Sequence, residues 1–341
     1  MQGLDPYNKL LTPYQIDPHY VEDYGKIKKV FANQGTFALK QTKLTDEQRY
    51  YFNNTFKVLN EKGYRQVVPI YPTKQGELLL NRNGYDYYLM PWIESARSSI
   101  GEIHEDLLKE IARIHTLTTI KEKIKQEHIQ NFYEKSKYEI EKRKLDYEKF
   151  IDRCEQHVYM SPFELLYCTY FIQLMNMEEG ALRQLEDWYE LAKEKKTDRF
   201  VICHGNLAPS HVLYDENGQS YLTNFERTYS ASPIYDLLTF FRKMFNSFPQ
   251  PLSNAHNLYF HYNRFHKLTE DEQQLLFYYL SSTKKVHKHI VRYQSSPTKS
   301  EQAQVVALQR AIWQVQMGSS FVYQLSQAIE QAKNQDNENP T

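Results

Sequence analysis

Glycine is scarce in this chain, at eleven of 341 residues, and cysteine is scarcer, at three. So few glycines leave little material for glycine-rich phosphate-binding loops. Cys154, Cys168 and Cys203 form no CxxC pair and their number is odd. Neither a zinc knuckle nor a disulfide framework is expected, and a reducing compartment fits best. An excess of one charge is also missing, since 42 Lys and Arg balance 42 Asp and Glu. That excludes a chain held to nucleic acid by bulk charge and leaves room only for a local basic patch. No run approaches the roughly 18 apolar residues of a membrane span. The start, Met1-Gln2-Gly3-Leu4-Asp5-Pro6, has neither the basic nor the apolar region of a signal peptide, so none is expected.

What remains is ordinary globular material. Hydrophobic residues make up 41% and charged residues 25%, which predicts a folded chain. Its length suits one large domain or two lobes. The 28 tyrosines stand out. An amphipathic ring suits half-buried helix faces; an adhesive or cross-linkable surface is the other reading.

Residues 1–23, with Pro6, Pro13 and Pro18 spaced through them, predict an irregular segment. Strand-like runs 26–32 and 36–40 flank Asn33-Gln34-Gly35 and predict a hairpin. A helix is expected over 45–62, with Thr45 as cap, Gln48 at the third helical position and Gly63 as stop. Further strands are expected at 66–71, 77–80 and 85–90, the last two joined by Asn81-Arg82-Asn83-Gly84 and the last halted at Pro91. Helical spacing continues at 103–117 and 162–196. The mixed charges of 121–150 suggest a solvated helix face. Short strands follow at 200–203, 212–214 and 219–222, then helices at 236–244, 270–292 and 301–333. Residues 334–341 form a polar tail expected to fray. The layout is a strand-rich lobe over 24–92, ending in a hinge, and a helical lobe over 93–333.

One stretch concentrates candidate chemistry: Cys203-His204-Gly205-Asn206-Leu207-Ala208-Pro209-Ser210-His211-Val212-Leu213. After it come Tyr221-Leu222-Thr223-Asn224-Phe225-Glu226 and a helix start, Ser232-Pro233-Ile234-Tyr235-Asp236-Leu237-Leu238. In order, spacing and apolar flanks this resembles the core of the aminoglycoside phosphotransferase and choline-kinase-like family. That core reads HGDxxxxN, then a hydrophobic-Asp-Phe-(Asp/Glu) block, then Pro-x-x-Asp-Leu. Phe37-Ala38-Leu39-Lys40 resembles the strand whose lysine contacts nucleotide phosphates, and the helix after Thr45 resembles the C-helix. Tyr87-Tyr88-Leu89-Met90-Pro91-Trp92 resembles the last small-lobe strand and hinge, and residues 107–115 resemble the Leu-Ala-x-Leu-His helix. The likeness runs over residues 24–330 and is nearest the spore-coat-associated, CotS/YutH-type branch.

The resemblance implies an α+β, bilobal protein-kinase-like fold, with a small antiparallel-sheet N-lobe and a large, mainly helical C-lobe. It implies ATP and Mg²⁺ as cofactors, with Lys40, Met90 and Glu226 at the nucleotide site. His204 would hold its loop by hydrogen bonds, and Asp236 would cap its helix. Three positions depart from the pattern. Asn206 stands where the catalytic base is Asp, and an amide cannot take a proton at neutral pH. His211 replaces the second metal ligand, Asn, with a nitrogen donor that suits Mg²⁺ poorly. Asn224 replaces the main metal Asp. Each lost carboxylate removes roughly 4 kcal/mol of attraction per unit of cation charge at about 4 Å and an effective dielectric near 20. Binding of ATP and Mg²⁺ is therefore expected to be weak at most. Glu226 is either a surviving metal carboxylate or a structural partner of Arg227 or a neighbouring helix. Lys40 is either a phosphate contact or an exposed edge-strand lysine, with Glu47 the nearest candidate for its glutamate. His211 either fills the vacated metal position or acts as a pH-sensitive contact. Cys203, after an apolar strand, reads as a buried small residue.

The expected function is a catalytically inactive, kinase-like component of the spore coat or its assembly, made in the cytoplasm and contacting other proteins, with no nucleic acid and no membrane span. The alternatives are a phosphotransferase working through Lys40 and Glu226, and a nucleotide-binding sensor without turnover.

Overall fold

The computed structural model describes residues 5–94, 99–246, 255–295 and 300–338. In chain order the elements are α1 (Asp5–Leu11), a 3-10 turn (Thr12–Tyr14), β1 (Pro18–Tyr24), β2 (Ile27–Ala32), β3 (Gly35–Thr42), α2 (Asp46–Glu61), β4 (Leu80–Arg82), β5 (Tyr85–Pro91), α3 (Ile100–Thr118) and β6 (Ile120–Lys123). Next come α4 (Gln126–Glu155), α5 (Pro162–Ala192), β7 (Thr197–Cys203), β8 (Val212–Tyr214), β9 (Ser220–Leu222) and β10 (Tyr229–Ala231). The chain ends in α6 (Ile234–Phe245), α7 (Ala255–Phe265), α8 (Glu270–Ser281), α9 (Lys284–Ser295) and α10 (Glu301–Glu338). The architecture is α+β, an antiparallel sheet followed by mainly helical chain. No helix among the described residues is long and apolar enough to cross a membrane.

Contacts divide the chain into two discontinuous units. The first comprises residues 1–120, 200–233 and 264–266. Its five-stranded sheet has the order β1-β2-β3-β5-β4, antiparallel throughout. Strand alternation gives the sheet two faces. Val30, Phe37, Leu39 and Leu89 point into one core, which Leu11 and Tyr14 cover. That cover corrects the expectation that residues 1–23 are irregular: an apolar sheet face needs a lid, and α1, the 3-10 turn and β1 come from this segment. The other face carries Lys29, Ala38 and Met90 in one cross-strand row, and Lys40 opposite Tyr88 in the next.

Helix α2 has the expected capping box, with Thr45 and Gln48 exchanging side-chain and backbone hydrogen bonds. Arg49 on α2 ties it to the sheet through Asp86, a buried carboxylate that also accepts from Asn81 and the Leu44 amide. The strand expected at 66–71 is absent. Only bridges Val67–Leu222 and Tyr71–Leu89 form there, because Pro69 offers no N–H to a ladder. The strand expected at 77–80 lies later, at β4.

The second unit comprises residues 121–199, 234–263 and 267–341. Helix α4 is charged outside, but Ile129, Ile140, Tyr147, Phe150 and Cys154 bury one face against α5 neighbours such as Tyr167, Leu174, Ala181 and Leu185. A polar knot crosses this packing. Arg143 donates twice to buried Glu178, at 2.7 and 3.0 Å, Thr283 also donates to Glu178, and Tyr147 meets Thr283 at 2.6 Å. Thr283 lies in the break that splits the expected 270–292 helix into α8 and α9. The expectation of a frayed tail from 334 is corrected as far as Glu338, where α10 ends; residues 339–341 lie outside the described residues. Helix α7 was not legible in the sequence.

Candidate functional site

The candidate residues of the first unit converge around Lys40. This lysine sits on β3, a central strand, which overturns its reading as an exposed edge lysine. Its Nζ pairs with Glu226 and donates to Asn224 Oδ1. Glu47 is exposed in the first turn of α2, so Glu226 takes the place of the C-helix glutamate. The phenol of Tyr88, directly across from Lys40, donates to Glu226 at 2.8 Å. Burial alone would raise the Glu226 carboxyl, but the adjacent Lys40 ammonium and the bonds it receives bring it below its ordinary range. Burial and this carboxylate push the Tyr88 phenol well up. Tyr88 escaped the sequence reading, although its place two residues before Met90 on one strand face was the available signal.

Backbone geometry fixes the other half of the site. Asn224 has φ 70° and ψ 46°, a left-handed conformation that Asn tolerates better than most side chains. The chain then tightens into a 3-10 turn over Phe225–Arg227, which turns Glu226 toward Lys40. Aromatic rings wall the site: Phe225 meets Phe56 of α2 at 5.6 Å, Phe56 meets Phe52 at 4.9 Å, and Phe52 meets Tyr88 at 5.3 Å.

His204 lies in the loop after β7 and makes two hydrogen bonds. Its buried ring accepts from the Asn206 amide at Nδ1, 3.3 Å, so Nε2 carries the hydrogen that goes to the Thr223 carbonyl, 2.9 Å. His211 is buried, stacks on His204 at 5.4 Å, and accepts the Thr223 amide on its own carbonyl. Gly205 is required there. Its φ is +76°, and a Cβ would stand 2.0 Å from the Arg227 carbonyl oxygen. Met90 is buried opposite Ala38, with Thr223 Oγ1 3.9 Å from its sulfur. Cys203 is buried as expected, its sulfur 3.5 Å from the Ser232 carbonyl. Asp236 belongs to the second unit and is buried as the third residue of α6.

Two further features bear on nucleotides. At the β1–β2 turn the Gly25 amide already donates to Asp23 at 2.8 Å, and Lys28 binds both Asp23 and the Gly25 carbonyl. A phosphate there would compete with a fixed carboxylate. In the Met90–Ala38 row, Lys29 lies 4.7 Å from the Trp92 ring centroid and 5.1 Å from that of Phe31, with Glu94 at 2.7 Å.

A sheet with a buried central lysine, an HGN loop and an NFE turn together define a protein-kinase-like fold. A model of the phosphotransferase enzyme family, APH, matches residues 29–268, and the chain belongs to that family. Among solved structures it is similar to an aminoglycoside phosphotransferase from Alicyclobacillus acidocaldarius, with TM-score 0.71 and 16% identity over 94% of this chain and 95% of that one. It is also similar to AMP-bound spectinomycin phosphotransferase, with TM-score 0.54 and 15% identity over 93% and 98%. A third likeness is to amicoumacin kinase in complex with AMP-PNP and Ca²⁺, with TM-score 0.52 and 11% identity over 94% of each chain. At these identities the likeness is one of fold. No curated protein matches the sequence.

The family implies Mg²⁺ and ATP, and the residues present do not fit them. Asn206, His211 and Asn224 offer no carboxylate. Glu226, the carboxylate of the cluster, is engaged by Lys40 and Tyr88. A hard dication prefers several oxyanion ligands, and this cluster offers a single carboxylate, already bonded at Oε1.

Proposed function

We propose that this chain is a pseudokinase, a member of the phosphotransferase family that keeps the fold without transferring phosphoryl groups. One observation carries the reading: Lys40 already bonds Glu226 Oε1 and Asn224 Oδ1, so phosphate and metal would each compete with contacts in place. The Asp23-filled turn and the Lys29–Trp92 cluster support it from the sheet side. With phosphoryl transfer set aside, the useful part is a protein surface. The resemblance to the spore-coat-associated branch makes that use structural, as a coat or assembly component bound to other proteins; the fold by itself carries no role.

The test is direct. Thermal unfolding of the purified chain should not respond to millimolar ATP with or without Mg²⁺, and sensitive assays should find no ATP turnover. Turnover that Lys40→Ala abolishes would restore the phosphotransferase reading. A shift with ATP but no turnover would make the chain a nucleotide sensor. Immunodetection in fractionated spores tests the coat assignment, which an exclusively cytoplasmic signal would overturn.

A further inference from the structure

The same cluster is an amine, a carboxamide and a carboxyl group held together in a site walled by aromatic rings. We propose that Lys40 and Asn224 become joined by an intramolecular isopeptide bond, with Glu226 carrying the proton that lets it form. The inference rests on the pseudokinase reading, because a lysine bound to nucleotide phosphates could not also be acylated.

The geometry supplies what the uncatalysed reaction lacks. Amines do not attack amides in water, since the amine is protonated and the encounter is brief. Here Lys40 is fixed on a central strand and Asn224 on a left-handed turn, 184 residues away in sequence, with Lys40 Nζ donating to the Asn224 side-chain oxygen. The carbonyl carbon under attack is one bond beyond that oxygen. Groups that a fold brings into a near-attack geometry react with effective concentrations of roughly 10⁵ M or more. Glu226 touches the same Nζ, and the side chains of Lys40 and Glu226 are only 11% and 13% exposed. A carboxylate in contact with that Nζ is placed to take up and return the proton the step requires.

The step balances without an outside reagent. Glu226 takes one proton from the Lys40 ammonium. The freed lone pair forms a bond to Asn224 Cγ. The Cγ–Nδ2 bond breaks as Glu226 and the attacking nitrogen each pass one proton to Nδ2, which leaves as ammonium. The product is a secondary amide whose N–H donates to Glu226, so the carboxylate keeps two donors, that amide and Tyr88. No electron is gained or lost. The bond would tie β3 to the segment after β9 and close the kinase-like site permanently, as suits a structural component.

The experiment is mass spectrometry on the full, folded chain, incubated at neutral pH until its mass is constant. The expected intact mass is one ammonia below the sequence mass. After digestion, the segments bearing Lys40 and Asn224 should appear as one branched peptide. Cyclisation of Gln2 after loss of Met1, or succinimide formation at Asn83-Gly84 or Asn217-Gly218, removes ammonia without branching, so the branched peptide decides. Lys40→Arg and Glu226→Gln, each checked for folding by circular dichroism, should keep the full mass. A branched peptide in Glu226→Gln overturns the role of Glu226. Separate Lys40 and Asn224 peptides from folded wild type overturn the bond itself. ATP binding measured on the same sample keeps the two readings apart. Separate peptides without ATP binding sink only the bond, whereas separate peptides with Mg²⁺-dependent binding sink both.

Discussion

Restoring the acids is the sharpest test of the proposed pseudokinase reading. The variant carries Asn206→Asp, His211→Asn and Asn224→Asp together. A carboxylate about 4 Å from a dication gains roughly 8 kcal/mol at an effective dielectric near 20, twice the value for a unit charge. Dehydrating the ion and the carboxylates consumes most of this. A net gain of about 3 kcal/mol is roughly a 150-fold increase in affinity for the Mg²⁺–nucleotide complex. With ligand at about 100 times the new Kd, the folded state gains about 2.7 kcal/mol. That corresponds to a Tm rise on the order of 5 °C. The assay is thermal unfolding with ATP, comparing Mg²⁺ with chelator, after the intact mass has shown Lys40 of the triple variant to be free. Wild type should stay flat under both conditions, and the triple variant should respond only with Mg²⁺. A folded triple variant that stays flat would refute the assignment of these three positions to base and metal roles. A Mg²⁺-dependent rise in wild type would refute the charge argument itself.

Other expectations follow from single features. Burial alone would raise the Asp86 carboxyl, but its bonds from Arg49, Asn81 and the Leu44 amide hold it below its ordinary value. Its stabilising contribution is therefore complete above about pH 4 and is lost as pH falls through the lowered folded value. Asp86→Asn should cost on the order of 3 kcal/mol at neutral pH and flatten the acid limb of denaturant stability; an unchanged limb would refute this. Gly205→Ala sets a Cβ against the Arg227 carbonyl at a positive φ, and should lower Tm by several degrees or prevent soluble expression. Arg143→Met leaves Glu178 buried without its cation and should cost about 3–5 kcal/mol in urea unfolding, while Arg143→Met with Glu178→Leu should recover much of that. Burial pushes the Cys154 thiol up to about 12, so an aromatic disulfide reagent at mildly alkaline pH should modify it only after unfolding.

Much of this was readable where local chemistry and global packing agree. The β2–β3 hairpin, the Thr45–Gln48 capping box and the short strands around residues 212–222 each carry their own signal, and each formed. The segment 1–23 misled because its prolines mark chain breaks without showing that its apolar residues cover a sheet. The 66–71 run has strand composition, but one proline was enough to reduce it to bridges. The 270–292 helix breaks where Thr283 serves a buried glutamate from another helix, which no local window contains. At the site, the residue types at 40, 206, 211, 224 and 226 were plain from motif spacing. Their pairing was not: the choice of Glu226 over Glu47 depends on the turn after Asn224, and Tyr88 enters only through the register of β3 with β5.

The retained geometry argues that neutralisation here is a conformationally cheap change. Asn has nearly the shape of Asp and shares its tolerance of the left-handed region, so Asn224 keeps the backbone while removing a charge. With an Asp at that position, Lys40 would face two carboxylates and the site would carry a net negative charge that a cation must answer. With Asn, the single pair Lys40–Glu226 closes the balance at zero. The pair then cannot be opened cheaply, because a ligand drawing Lys40 away would strand a buried carboxylate against a phenol and an aromatic wall. A phosphate would have to outbid a contact already made and shielded from solvent. On the proposed pseudokinase reading, a substitute set of interactions engages groups an enzyme would need, in addition to the missing acids. Restoring the acids while leaving Lys40 bound to Glu226 should recover metal affinity ahead of turnover, an order that parallel binding and turnover measurements on the triple variant would reveal.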